Sequence, residues 1–412
     1  MNNSGNNPGI TARPAITAPT GKTRMDWPDV AKGLSILGVV ILHVTLAIPG
    51  AEHTFVAELN HILDPLRMPL FFLVSGFFSV KVLTMTFEQL FKRRLWFFLV
   101  PYLVWTPIEL YTSRLKGVLF HGHVMPDWFY YVAKVADSTN MYWFLYFLVW
   151  FNLLLWGTRK LPAWMIVTLV MVVPWLFMPM FGDSELLRKT IIYLPAFFIG
   201  AYFRPLITRF AEAADRPKAV VLAVAAYVAG LGIAAVEEVL TTRVPGPTQL
   251  WFIGFKDEIA ILLGGELSAF ALGHISGTLI RLLSLPAGVV LAVWLSRAIP
   301  VARVLKFLGR HTLVIYIGHA LGLTLLFGFT VRETLMVIDP DSPNPMHWTG
   351  TWMIIAFTLG MAGAYLLHLL TRVPLLKWTL APPRLPESRP GERVDTPPAS
   401  RLTLNNRTLP RA

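Results

Sequence analysis

VAKGLSILGVVILHVTLAIP, residues 30–49, decides the fold. A helix of this length rises about 30 Å, the thickness of the hydrocarbon core of a bilayer. The run carries two ionisable side chains, Lys32 near its start and His43 at depth. They are eleven residues apart, which in a helix is a rise of about 16 Å and just over three turns, so both lie on one face. Ionisable groups inside a span are costly, and the default reading is a functional site. The alternative is a lysine that snorkels to the interface and a histidine bonded to a neighbouring helix.

The rest of the chain has the same character. Of 412 residues, 55% are hydrophobic and 15% charged, with a mean hydropathy of +0.56, whereas soluble domains carry about 25% charged residues. Apolar runs recur at Val30–Pro49, Met68–Leu83, Leu95–Tyr111, Met141–Gly157, Pro162–Phe181, Thr190–Phe203, Lys218–Leu240, Leu282–Ile299, Leu313–Thr330 and Gly350–Leu370. They predict an all-α, polytopic membrane protein of about ten transmembrane helices. Interior prolines such as Pro101, Pro107, Pro174 and Pro195 are compatible with this, because neighbouring helices satisfy the freed carbonyls. There is no cysteine, which excludes disulfides, thiolate nucleophiles and cysteine-based metal sites.

Charge sets the expected orientation. With a cytosolic N-terminus, 26 of the 36 Lys and Arg fall on the cytosolic side, against 8 of the 24 Asp and Glu. This positive-inside bias predicts that both termini are cytosolic. It also accounts for the net charge of +12 as topology, with no call for a nucleic-acid partner. Leu250–Ile275 is apolar but holds Lys256, Asp257, Glu258, Glu266 and His274. Counting it as an eleventh span would put the Arg297–Arg310 cluster and the tail outside, so it reads as a re-entrant or interfacial segment on the outer side. Residues 1–25 read as a disordered cytosolic N-terminus without the apolar core of a signal peptide, 26–380 as the membrane domain, and 381–412 as a disordered basic tail.

Four motifs carry candidate chemistry. In Asp29-Val-Ala-Lys32 followed by Leu42-His43, a neutral imidazole is a competent general base once a hydroxyl is in hydrogen-bond reach, and Lys32 offers a point charge to an anionic ligand. In Leu66-Arg67-Met68-Pro69-Leu70-Phe71-Phe72-Leu73-Val74-Ser75-Gly76-Phe77-Phe78, Arg67 falls at the outer end of its span, while Ser75 and Gly76 allow close helix approach or a polar contact. Lys92-Arg93-Arg94 before Pro101-Tyr102 is either a positive-inside anchor or a phosphate cradle. In Gly309–His319 a second imidazole, His319, lies at membrane depth. A structural hydrogen bond suits it better than a metal, since no acidic partner at zinc-site spacing accompanies it.

These stretches, with Trp143-Phe144-Leu145 and the Tyr193-Leu-Pro-Ala-Phe-Phe-Ile-Gly200 span, together resemble the membrane acyltransferase-3 family from Asp26 to Leu370. The stretch Arg24–Lys32 is most similar to actinobacterial members that acetylate trehalose mycolates. The resemblance implies an O-acyltransferase of the plasma membrane. It would move an acyl group, commonly acetyl, from cytosolic acyl-CoA, a co-substrate and not a bound cofactor, to a hydroxyl of an envelope sugar or glycolipid. It maps the family's first-span histidine onto His43 and its basic partner onto Lys32, where the family more often has arginine; lysine keeps the charge and loses the planar fork. Tyr142 stands where a histidine is more usual. The implied site has His43 as catalytic base and Lys32, Arg93 and Arg94 on the donor. Arg67, Ser75 and Glu258 would serve the acceptor or the oxyanion, and Asp29, Trp143 and His319 would support them. No metal is implied. The residues alone leave two other classes open, a lipid or sugar transporter using the same polar groups as a path and a non-catalytic scaffold.

Overall fold

Asp26-Trp27-Pro28-Asp29 opens the first helix, α1 (Trp27–Ala47). Proline is harmless in a first turn, where its missing N–H would be unsatisfied anyway, and Asp29 complements the positive end of the helix. The helix stops before Ile48-Pro49-Gly50, where Gly50 takes φ +72°, a conformation glycine adopts without strain. The structure, a computed structural model, describes residues 25–177, 184–241, 267–339 and 341–386, and every regular element among them is helical.

The chain returns through α2 (Phe55–Ile62) and α3 (Asp64–Phe77). α3 runs antiparallel to α1: Arg67 packs on Gly38, while Phe78, just past its end, lies under Lys32. A π-helical turn at Phe91–Leu95 leads into α4 (Trp96–His121). Next come α5 (Trp143–Gly157), α6 (Ala163–Met171), α7 (Glu185–Tyr202) and α8 (Pro217–Thr241). α9 (Leu267–Arg297), α10 (Ile299–Arg310) and α11 (Thr312–Leu321) follow, and α11 passes into a π-helical stretch, Gly322–Arg332. α12 (Thr349–Leu370) and the short α13 (Pro374–Leu380) end the described chain, whose shorter helices include Trp128–Ala136 between α4 and α5.

Five helices among the described residues are long and apolar enough to cross a membrane: Trp27–Ala47, Pro217–Val236, Ile275–Arg297, Thr312–Leu335 and Thr349–Leu370. Glu185–Tyr202 and Arg204–Glu212, bent by 80°, make a sixth if counted as one span. The described parts of the remaining apolar runs are also largely helical but shorter, broken or less apolar. Pro162–Phe181 breaks at Val172, two residues before Pro174, because proline cannot supply the next backbone donor. Of Leu250–Ile275 only the end is described, and the helix long and apolar enough to span begins at Ile275. Residues 267–275, read as the end of a non-spanning segment, are the first turns of the 31-residue α9. The helix continues unbroken through Pro286 to Arg297. Glu258 lies outside the described residues.

α1 is the hub, in contact with α3, α9, α10, α11 and α12. Between apolar helices in lipid, close backbone approach replaces the hydrophobic effect as the source of cohesion. The α1–α10 seam shows how: a Cβ built on Gly309 would overlap the Asp29 carbonyl oxygen, and one on Gly33 that of Leu305. The α3–α7 seam repeats the device with Gly76 and Gly200. An aromatic layer, including Phe72, Trp143, Phe147 and Tyr193, fills the space between α3, α5 and α7.

Candidate active site

Lys32, Ile36 and Val39 succeed one another at helical spacing on α1 and line one cavity of about 270 Å³. His43 is the next residue of that stripe. Facing them are Met68, Phe71 and Ser75 of α3, Arg94 from the π-helical turn, Phe98 of α4, and Phe144, Leu145, Leu148 and Asn152 of α5. Gly309 and Arg310 of α10 and Thr312, Leu313 and Tyr316 of α11 close the wall.

The polar end of this cavity is cationic. Asp29, buried at the foot of α1, has one carboxylate oxygen 3.1 Å from Lys32 Nζ and the other 3.4 Å from Arg310 Nε. Arg94 donates to the Phe78 carbonyl. Three cations therefore line the cavity, and the one carboxylate paired with two of them leaves an excess of positive charge suited to an anion. Lys306 belongs to a separate pair with Asp26 at 2.9 Å.

One turn beyond Val39 and Tyr316, the two membrane-depth histidines meet. His43 Nδ1 is 2.8 Å from His319 Nε2. The ring planes differ by 10° and the centroids are 5.1 Å apart, the geometry of two rings joined edge to edge in a common plane by one hydrogen bond. His319 Nδ1 lies 2.8 Å from the Ile315 carbonyl oxygen, one turn back on its own helix. His43 is half-buried, whereas His319 is 1% exposed. α11 is tied to the start of α5 by three bonds. The Tyr142 hydroxyl donates to Ile317 O (2.9 Å), the Tyr316 hydroxyl donates to Met141 O (2.8 Å), and Phe144 N–H donates to the Tyr316 oxygen (3.3 Å).

The structure thus brings together Lys32, Arg94 and Ser75 around one cavity, with Asp29 paired to Lys32, and His43 with His319 beyond its deep end. Ser75 stands with the donor-side group, away from Arg67, and its hydroxyl donates to Phe71 O at 2.8 Å. Arg67 is buried against α1 beside a second, separate cavity. It pairs with Asp64, and with the Asn60 amide oriented to satisfy its neighbours, Asn60 accepts from Arg67 Nη1 at 3.1 Å and donates to Gly38 O at 3.2 Å. Much of its guanidinium is committed to joining α2 and α3 to α1. Arg93 is not among the residues lining the cavity. Lys92 binds Glu88 and donates to Pro386 O. Trp143 stacks on Tyr193 (centroids 5.5 Å, 25°) beneath Lys189. Among the described residues no group of three His, Asp or Glu side chains is placed to hold a metal.

Sequence reasoning missed Arg310, Tyr142 and Tyr316. Arg310 had a signal: it precedes His319 by nine residues, repeating in α10–α11 the order of cation then deep histidine that marks α1. Tyr142 showed only as a departure from the usual histidine, and Tyr316 had no signal, since their hydroxyls bond carbonyls distant in the chain.

An all-helical, apolar bundle with a cationic cavity leading towards a buried imidazole pair defines a membrane-embedded protein built around a polar site. A family model described as an acyltransferase domain, of the acyltransferase-3 type, matches residues 25–373, and the chain belongs to that family. It is a membrane O-acyltransferase, a transferase of groups other than aminoacyl; the transporter and scaffold readings give way to that chemistry. No curated protein and no solved structure matches the chain.

Proposed function

We propose that the protein carries an acetyl group from acyl-CoA on the cytosolic side to a hydroxyl of a cell-envelope glycolipid, with trehalose monomycolate as the acceptor to test first. The observation that carries this reading is the cavity: cationic at the Lys32–Arg94–Arg310 end, apolar along Ile36, Val39 and Leu148, and ending one helical turn from His43. Its 270 Å³ is below the roughly 300–1,000 Å³ of a site that engulfs a drug-sized ligand. A slender thioester arm fits, and the nucleotide phosphates stay with the cations. The positive-inside bias puts the Lys32 end in the cytosol and both termini with it, in a bundle of about ten spans of the plasma membrane.

In this reading His43 is the general base. It takes the proton of the acceptor hydroxyl as the oxygen attacks the thioester carbonyl, with donor and acceptor held in reacting geometry by the bundle. Lys32, Arg94 and Arg310 hold the donor phosphates. Arg67 fixes the acceptor-side wall of α1, and Trp143 steadies α5 beside it. The test is transfer of label from radiolabelled acetyl-CoA to trehalose monomycolate by the purified protein in lipid vesicles. Label is expected in the ester fraction. Label left wholly in acetyl-CoA, with a wider envelope glycolipid extract also unlabelled, overturns the reading.

A further inference from the structure

The hydrogen bonds of the histidine pair determine where its protons are. A carbonyl oxygen accepts and cannot donate, so the 2.8 Å contact between His319 Nδ1 and Ile315 O requires the proton on His319 Nδ1. In a neutral imidazole the other nitrogen is then a bare acceptor. That nitrogen, His319 Nε2, lies 2.8 Å from His43 Nδ1, and two bare nitrogens do not bond, so His43 Nδ1 must carry a proton and donate it. A neutral His43 consequently has its lone pair on Nε2, which makes no hydrogen bond among the described residues. The coplanar, edge-to-edge rings have the alignment such a bond needs.

We infer that His319 is a positioning residue that locks His43 in the tautomer with Nε2 unprotonated, so that Nε2 is the basic atom of acyl transfer. The inference rests on the reading of His43 as the base and deepens it. The chain runs from the Ile315 carbonyl through two imidazoles, the task a buried carboxylate performs for the histidine of a serine protease. Here a neutral ring does it, in a setting where an unpaired buried charge would be expensive.

The step balances. The His43 Nε2 lone pair takes the hydroxyl proton while the hydroxyl oxygen forms the new C–O bond and the C–S bond breaks. The thiolate leaves with both electrons of that bond and receives the proton from His43 Nε2. The products are an ester and a free thiol, and His43 returns to its starting tautomer. While it carries both protons, its Nδ1–H remains bonded to His319 Nε2, which keeps the ring from turning.

Two measurements test this. Nitrogen-15 solid-state spectra of histidine-labelled protein in lipid, with His43 identified by its loss in His43→Ala, are expected to show a protonated Nδ1 and a bare Nε2. A proton on Nε2 in the wild-type protein overturns the inference whatever any variant does. In kinetics, His319→Leu removes the acceptor and is expected to lower kcat by about 10²–10⁴-fold, on the scale of a wrong tautomer, with both KM values within about twofold. His319→Gln, whose side-chain oxygen can take the same bond, is expected to recover most of that loss. Wild-type kcat in His319→Leu, or a loss confined to KM, refutes the positioning role. Undiminished transfer by His43→Ala instead removes the reading of His43 as base, so the two failures are told apart.

Discussion

α1 and the α10–α11 pair carry the same features in the same order, a cation and then a histidine at depth, yet their environments divide the roles. In α1, Lys32 lines the cavity, and His43 is half-buried with one ring nitrogen unbonded among the described residues. In the second copy, Arg310 lies at the same mouth, but His319 is sealed and both its nitrogens are engaged. A histidine whose hydrogen bonds are complete has no lone pair to offer. Membrane depth alone marks a residue as costly; unspent hydrogen-bonding capacity is what marks it as reactive.

The largest test of that contrast is His43→Ala. It is expected to lower acyl transfer by about 10²–10⁴-fold, the usual contribution of a positioned base, with the variant still in the membrane fraction. Transfer at the wild-type rate, measured with labelled donor, would end the assignment of roles.

A smaller effect sharpens the mouth. Gly309→Ala drives a methyl group into the Asp29 carbonyl across the α1–α10 seam, and overpacking of this kind costs about 1–3 kcal/mol. A lower thermal midpoint in detergent is expected. A raised donor KM should accompany it, because Asp29 holds both Lys32 and Arg310. An unchanged midpoint would mean that the seam opens freely.

The smallest is the exchange of charges. Lys32→Ala and Arg310→Ala are each expected to raise the donor KM about tenfold, a loss of roughly 1.5 kcal/mol for one charge-assisted contact, with kcat unchanged. If only Lys32→Ala has an effect, Arg310 serves Asp29 alone and the parallel between the helices stops at sequence. If neither does, the cationic end of the cavity is not the donor site.

Much of this architecture is legible in the chain. Each apolar run named from the sequence contains helix in its described part, because side chains facing lipid must be apolar over the length of a span. The shorter helices Phe55–Ile62, Trp128–Ala136, Arg204–Glu212 and Ile299–Arg310 fall largely between those runs. The Lys32 to His43 spacing places both on one stripe through the 3.6-residue turn, and the cavity follows that stripe. Other features resist such reading. Arg67 looks from sequence like a free cation near the acceptor side, yet Asp64 and Asn60 occupy it, and Asn60 comes from another helix. Ser75 shares a motif with Arg67 but, at eight residues' remove, stands with Lys32 and Arg94. Prolines by themselves do not mark the breaks: the helix ends after Met171 ahead of Pro174, yet α9 runs unbroken through Pro286.

What the sequence by itself determined is the class of molecule and the stripe of α1 that bears Lys32 and His43, since both follow from local periodicity and from the cost of charge in lipid. The partner of His43 was decided by tertiary structure alone. His43 and His319 are 276 residues apart, and nothing local to either one encodes the other. Their bond exists because Tyr142 and Tyr316 pin α11 to α5 while Gly33 and Gly309 bring α10 against α1. Which nitrogen of which ring carries a proton then follows from that packing and the Ile315 carbonyl.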